Sequence, residues 1–178
     1  MTIGWEVLNL EKNTDLIVIN AQNGDKAAFQ ELYREVYKDL YRYALFVLKN
    51  KQDAEDVVAD TVTDAFYSIK KLRSPASFKA WMFKILSSKI KQKLKEYARA
   101  KKEGIVYPDL QDHTNMTAQV EMFSALGHLS QTEQQIVLLS VIGRYTSAEI
   151  GQILSLNAAT VRSKLSRSLT KLRSLFTE

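Results

Sequence analysis

TSAEIGQILSLNAATVRSKLSRSLTKLRSLF, residues Thr146 to Phe176, carries its own punctuation. Thr146 and Glu149 stand three apart as a capping box, in which the hydroxyl accepts a free backbone N–H and the carboxylate reaches back to the cap. Ile150, Ile153 and Leu154 then share one side of a first helix. Ser155-Leu156-Asn157 breaks the pattern, and Asn157 is a favoured N-cap for a second helix. In that helix Val161, Leu165, Leu169, Leu172 and Phe176 form an apolar stripe, leaving Arg162, Ser163, Ser166 and Arg167 on the other side. Arginine can offer two donors to a guanine edge, and serine can bond a base or a phosphate, so this side is a candidate DNA reader. An ordinary amphipathic hairpin with a solvated basic face has the same spacing, and the pattern leaves both readings open. Gly151 costs about 1 kcal/mol of helix propensity relative to alanine, which implies a close approach of the two helices there.

Outward from this stretch, the 178 residues are long enough for one domain or two small ones, and 46% hydrophobic residues suffice for real cores. Lys and Arg outnumber Asp and Glu by 25 to 20, and the net charge of +5 favours a polyanionic partner. The charges are sorted along the chain. Lys79 to Lys102 holds nine basic residues and a single acidic one, Glu96, while Asp53 to Asp64 holds five acidic residues and no basic one. With no cysteine, disulfides, thiolate metal sites and thiol redox sensing are excluded within this chain. There is no signal-peptide pattern at the start and no apolar run of membrane-spanning length, so a cytoplasmic protein without membrane insertion is expected. Two prolines and six glycines leave few breaks, and the long stretches of helical periodicity predict an all-α fold.

Trp5, Val7, Leu8 and Leu10 precede a helix beginning near Asp15 and have no readable role. Asn23-Gly24-Asp25 interrupts, and Asp25 caps a helix to about Leu48, with Phe29, Leu32, Val36, Leu40 and Ala44 inward and the tyrosines at 33, 37, 41 and 43 at the core edge. After a polar link, 49–52, residues 53–69 place Asp53, Asp56, Asp60 and Asp64 within an arc of about 80° at about 100° per residue. Carboxylates one turn apart repel each other by a few tenths of a kcal/mol per pair. Either they form a solvated face, or they dock on a basic surface; a Mg²⁺ site would need carboxylates converging from separate segments. Beyond the basic turn 70–75, a helix carries Phe78, Trp81, Met82, Ile85 and Leu86 on one side, then Ile90, Leu94 and Tyr97 on another, implying a bend near Ser87-Ser88 or a change of neighbour. Its lysines beside Trp81, Phe83 and Tyr97 suit a nucleic-acid backbone with nearby stacking rings, or else a solvated basic face; Trp81 itself reads as core. Periodicity then lapses until about Gln119, the mark of a flexible interdomain linker. Ser130 and Glu133 form a second capping box ahead of Ile136 to Val141. His113 and His128 have no partners of ligand type, so no catalytic residue, metal or cofactor is expected.

Two helical domains, the first with an acidic helix followed by a basic one and the second ending in a helix-turn-helix, resemble a bacterial sigma factor. The segments DAEDVVADTVTDAF, FKAWMFKI and LSQTEQQIVLLSVIGRYTSAEIGQILSLNAATVRSKLSRSLTKLR narrow the likeness to the extracytoplasmic-function group, which keeps sigma domains 2 and 4. The resemblance implies domain 2 over residues 1–99, a linker over 100–119 and domain 4 over 120–178. It implies docking of Asp53, Asp56, Asp60 and Asp64 on the beta-prime clamp coiled coil of core RNA polymerase, with the beta flap as a second contact. Lys84, Ser88, Lys91 and Lys95 would hold the opened minus-ten strand, and Ser147, Arg162, Ser163, Ser166 and Arg167 the minus-35 element. Ser88 stands where the family often has asparagine, and Ala59 and Val62 where it often has glutamine and phenylalanine. Promoter DNA and an anti-sigma factor are the other implied partners; no small-molecule substrate is. The competing expectation is a conventional helix-turn-helix regulator that acts without joining polymerase.

Overall fold

Side-chain caps start most of the helices in this computed structural model, which describes residues 14–104 and 125–175. Helix α1, residues 14–22, stops at a turn where Gly24 takes φ of 101°, a conformation that a side chain would strain. Asp25 then accepts the N–H groups of Ala27 and Ala28 at 2.8 and 3.1 Å and opens α2, Lys26–Leu48. Asn50 accepts from Asp53 N–H at 3.0 Å and caps α3, Lys51–Ser68, which therefore begins inside the expected polar link. Two 3₁₀ turns, Ile69–Lys71 and Pro75–Ser77, lead into α4, Phe78–Lys102. The Gln22 amide donates to the carbonyls of Ile69 and Leu72 at 3.1 and 2.8 Å, tying α1 to the basic turn.

The second half holds a helical turn at 125–127 (α5), then α6, Gln131–Val141, α7, Ser147–Leu154, and α8, Ala158–Leu175. Both capping boxes form as read: Glu133 returns to Ser130 N–H at 3.0 Å, and Glu149 to Thr146 N–H at 2.7 Å. Between α7 and α8, Ser155 closes the helix in the left-handed region at φ 57°, and Leu156 N–H donates to the Gly151 carbonyl at 2.8 Å. Asn157 Oδ1 accepts from Ala159 N–H at 2.8 Å. The close approach at Gly151 differs from the expectation. A Cβ there would lie 2.6 Å from the carbonyl oxygen of Leu156, so glycine makes room for the turn, not for α8.

Packing brings α2, α3 and α4 together, sets α6 and α7 on α8, and lays α7 on α4 and α6 on α2. One continuous buried cluster joins both halves. α4 runs unbroken past Ser87-Ser88, and its stripe shifts because its neighbours change: Tyr97 turns to α3, where its hydroxyl donates to Asp53, while Leu94 faces the second half. Trp81, expected in the core, is only half-buried, tilted against Phe78 at 6.2 Å. Of the tyrosines expected at the core edge, Tyr41 packs there, Tyr33 is half-buried, Tyr37 is exposed and Tyr43 is fully buried. On α8 the inward face is Val161, Leu165, Ser168 and Leu172, not the stripe with Leu169; Ser168 is 1% exposed and Leu169 is 42% exposed. A small side chain at 168 lets α8 approach its neighbours closely, and the helix turns by about one position to use it. The first part of the expected linker, residues 100–102, belongs to α4. The readings at Trp5, Val7, Leu8, Leu10, His113 and Phe176 fall outside the described residues.

Candidate nucleic-acid interface

Helical phase decides which charges are available. On α3 the buried residues are Ala54, Val57, Val58, Thr61 and Ala65. With Asp53 set at zero and about 100° per residue, these cover about 40° to 140°. Asp53 and Asp64, at about 0° and 20°, border that face, whereas Asp60 and Asp56, at about 340° and 300°, lie further round. α4 packs on this border and takes the nearer pair. Lys93 Nζ lies 3.1 Å from Asp53 and Lys89 Nζ lies 2.6 Å from Asp64, while the Tyr97 hydroxyl also donates to Asp53. The bond to Asp53 holds the Lys93 ammonium above its usual range, against an opposing effect of burial. The expected four-carboxylate docking face is thus divided: Asp53 and Asp64 pair with α4, although Asp64 stays exposed, while Asp56 and Asp60 are exposed and make no ion pair among the described residues. Among the described residues, Asp56 accepts from Gln52 of its own helix, at 3.3 Å. Among the described residues, no three His, Asp or Glu side chains gather to hold a metal ion.

The same phase sorts the lysines of α4. From Lys84 at zero, Lys91, Lys95 and Ser88 fall within about 60° of arc, and Lys89 and Lys93 sit about 140° and 180° away. The second pair neutralises α3. Lys84, Lys91 and Lys95 make no ion pair among the described residues and are exposed, together with Ser88, along one face. A row of ammonium groups not already paired retains its charge for phosphates, and lysine suits backbone attraction better than bidentate base reading. The rings expected beside this row do not line it. Phe83 is buried between Tyr43 and Tyr145, at centroid distances of 5.6 and 5.3 Å, and Tyr97 is committed to Asp53.

On α8, Arg162, Ser163, Ser166 and Arg167 are all exposed on one side, and Ser147 is half-buried in the first turn of α7. Arg167 Nε donates to the Ser163 carbonyl at 3.3 Å, which steadies the guanidinium without using its terminal donors. The structure therefore brings the α8 residues together and the α4 residues together, on separate elements. It also exposes a residue that periodicity passed over: Tyr145, in the loop before α7, joins the two halves through Phe83. The only signal for it in the sequence is the Gly143 two residues earlier.

Both halves of the chain match known families. Residues 32–100 match the family described as Sigma-70 region 2 and residues 119–172 match Sigma-70, region 4, which together span more than half of the chain. Similar relatives include the RNA polymerase sigma factor SigV of Bacillus subtilis, 29% identical over 76% of this chain and 83% of that protein. The ECF RNA polymerase sigma factor SigM of Mycobacterium tuberculosis is 25% identical over 97% of this chain and 89% of that protein. Among solved structures, the sigma factor RpoE of Bartonella quintana, crystallised with the anti-sigma factor NepR, shares the fold. Its TM-score is 0.71 at 21% identity, covering 84% of this chain and 96% of that one. CnrH, solved with the cytosolic domain of CnrY, gives a TM-score of 0.70 at 23% identity over 92% and 97%. The chain belongs to the sigma-70 family, in its extracytoplasmic-function group. As such it is a polymerase-binding factor that directs transcription initiation to promoters.

Proposed function

We propose that the chain divides this work among three helices: α3 docks on core polymerase through Asp56 and Asp60, α4 holds the opened minus-ten strand, and α8 reads the minus-35 element. The sorting of the α4 lysines carries the reading. Lys89 and Lys93 pair with α3, while Lys84, Lys91 and Lys95 form a row, with Ser88 among them, that makes no ion pair among the described residues. A helix that only needed solubility has no reason to segregate its charges so. Ser147, Arg162, Ser163, Ser166 and Arg167 form the second DNA contact. Asp53 and Asp64 support the docking helix from its packed side. In this reading domain 2 spans 1–99, the linker 100–119 and domain 4 120–178, with the clamp coiled coil and the beta flap as the polymerase contacts of the two halves.

The factor makes no bond itself; phosphodiester formation belongs to the polymerase, and the chain needs no cofactor. It works in the cytoplasm, where promoters are. An anti-sigma factor is a further partner, on the likeness to RpoE and CnrH, each of which was solved with a partner protein. Co-purification with core polymerase tests the assignment. The wild-type chain is expected to be retained and the Asp56→Ala, Asp60→Ala double variant to be lost. A chain that binds a DNA site as a dimer and ignores core polymerase would instead be a conventional regulator.

A further inference from the structure

The lysine row of α4, though exposed, forms one wall of a cleft of about 590 Å³. Gln131, Thr132 and Gln135 of α6 and residues 153–156, at the end of α7, form the other. A space of this size suits one small ligand, whereas a bound single strand occupies several nucleotides. With the two halves so placed, α6 and the end of α7 stand across the cleft from Lys84, Ser88, Lys91 and Lys95 and narrow the space for a strand along that row, while Arg162 and Arg167 on α8 do not line the cleft.

One side chain stands out among the contacts that hold this placement. Tyr145 leaves the α6–α7 loop and sets its ring edge-on to Phe83 of α4, with 5.3 Å between centroids and 71° between planes. Phe83 meets Tyr43 of α2 in the same manner at 5.6 Å, so three rings run from the loop into the first half's core. The loop is shaped to deliver the ring. Arg144 takes φ of 53°, Tyr145 N–H donates to the Leu139 carbonyl at 3.2 Å, and a Cβ on residue 143 would come within 2.4 Å of the tyrosine ring, which only glycine avoids.

We propose that Tyr145 is a latch: seated on Phe83 across the bare backbone of Gly143, it holds the helix-turn-helix half over the lysine row of α4 and shields that row from single-stranded DNA until the halves separate. The shielding part rests on the reading of that row as the strand-binding face; the latch itself does not.

The absence of native cysteine allows the test to be made on the full chain. Dyes on Glu31→Cys and Thr160→Cys, at exposed positions of α2 and α8, report the separation of the halves by energy transfer. A labelled single-stranded oligonucleotide of mixed sequence reports access to α4. Tyr145→Ala is expected to lengthen and broaden the distance distribution and to tighten oligonucleotide binding about two- to tenfold, the effect of losing one edge-to-face ring pair. Adding Lys91→Ala should remove that gain, and Tyr145→Phe, which keeps the ring, should behave as wild type. Gly143→Ala leaves the tyrosine in place but pushes its ring aside, so it should open the halves even if Tyr145→Ala folds poorly. Unchanged distances in both variants would overturn the latch. Open halves with no gain in oligonucleotide binding would overturn the shielding and locate the fault in the assignment of the α4 row.

Discussion

Gly151 and Ser155 show how much of the helix-turn-helix depends on single backbone positions. Alanine at 151 would gain about 1 kcal/mol of helix propensity. Its Cβ, however, would be driven to 2.6 Å from the Leu156 carbonyl oxygen, a backbone atom that cannot step aside without moving the turn. We expect Gly151→Ala to be destabilising by about 1 to 3 kcal/mol, as overpacking usually is, and to show it as a lower denaturant midpoint. Ser155 presents the opposite case: it holds φ of 57° with a side chain, where relief of left-handed strain is worth about 1 kcal/mol. Ser155→Gly should raise the midpoint. At Ser130 the hydroxyl and the backbone N–H both donate to Glu133, and these bonds hold its carboxyl below the usual 4.5. Its folded pKa is depressed, so its contribution is complete above the unfolded value and is lost as pH falls through the folded one. Thermal melts of Glu133→Gln against pH should therefore lack part of the wild type's decline below about pH 4.5.

Single helices carry the next set of tests. On α3 two aspartates share a face in sequence but not a role: Asp53, its side chain 15% exposed, accepts from Tyr97 and Lys93, and Asp60 is exposed to solvent. Asp53→Ala should cost about 1 to 3 kcal/mol of stability by removing the part-buried acceptor that the Tyr97 hydroxyl and the Lys93 ammonium share. Asp60→Ala should stay within about 0.5 kcal/mol of wild type and weaken retention on polymerase. Chemical denaturation and co-purification, run on both, separate the two roles. On α8, Arg162→Ala should cost about 1 to 3 kcal/mol on the preferred promoter and less on others if the guanidinium reads a base. Equal losses on all sequences would make it a phosphate contact. The caps, the acidic and basic helices and the reader's basic side were legible because each is written in local spacing. The partition of the aspartates was not, since it depends on where α4 lands along α3. Nor was the burial of Ser168 in place of Leu169: periodicity scores hydrophobicity, while close helix packing selects for size.

For the molecule as a whole, the two halves share one buried cluster, and the way they meet was not readable from either half alone. The sequence marked Phe83 as a ring for stacking on bases, but its actual partners are Tyr43 of α2 and Tyr145 of the α6–α7 loop, far apart in the chain. Long-range pairings of this kind leave no periodic trace. The composition had pointed to a polyanion; in the proposed reading the α4 lysine row and the α8 arginine face meet it, and the exposed carboxylates of α3 are left for the polymerase. Run-off transcription with core polymerase on a set of genomic promoters tests that division most directly. The wild-type chain should produce defined start sites on a subset of them, and the Arg162→Ala, Arg167→Ala double variant should lose those starts while still binding polymerase. Defined starts that persist undiminished in the double variant, or none with the wild-type chain, would contradict the account.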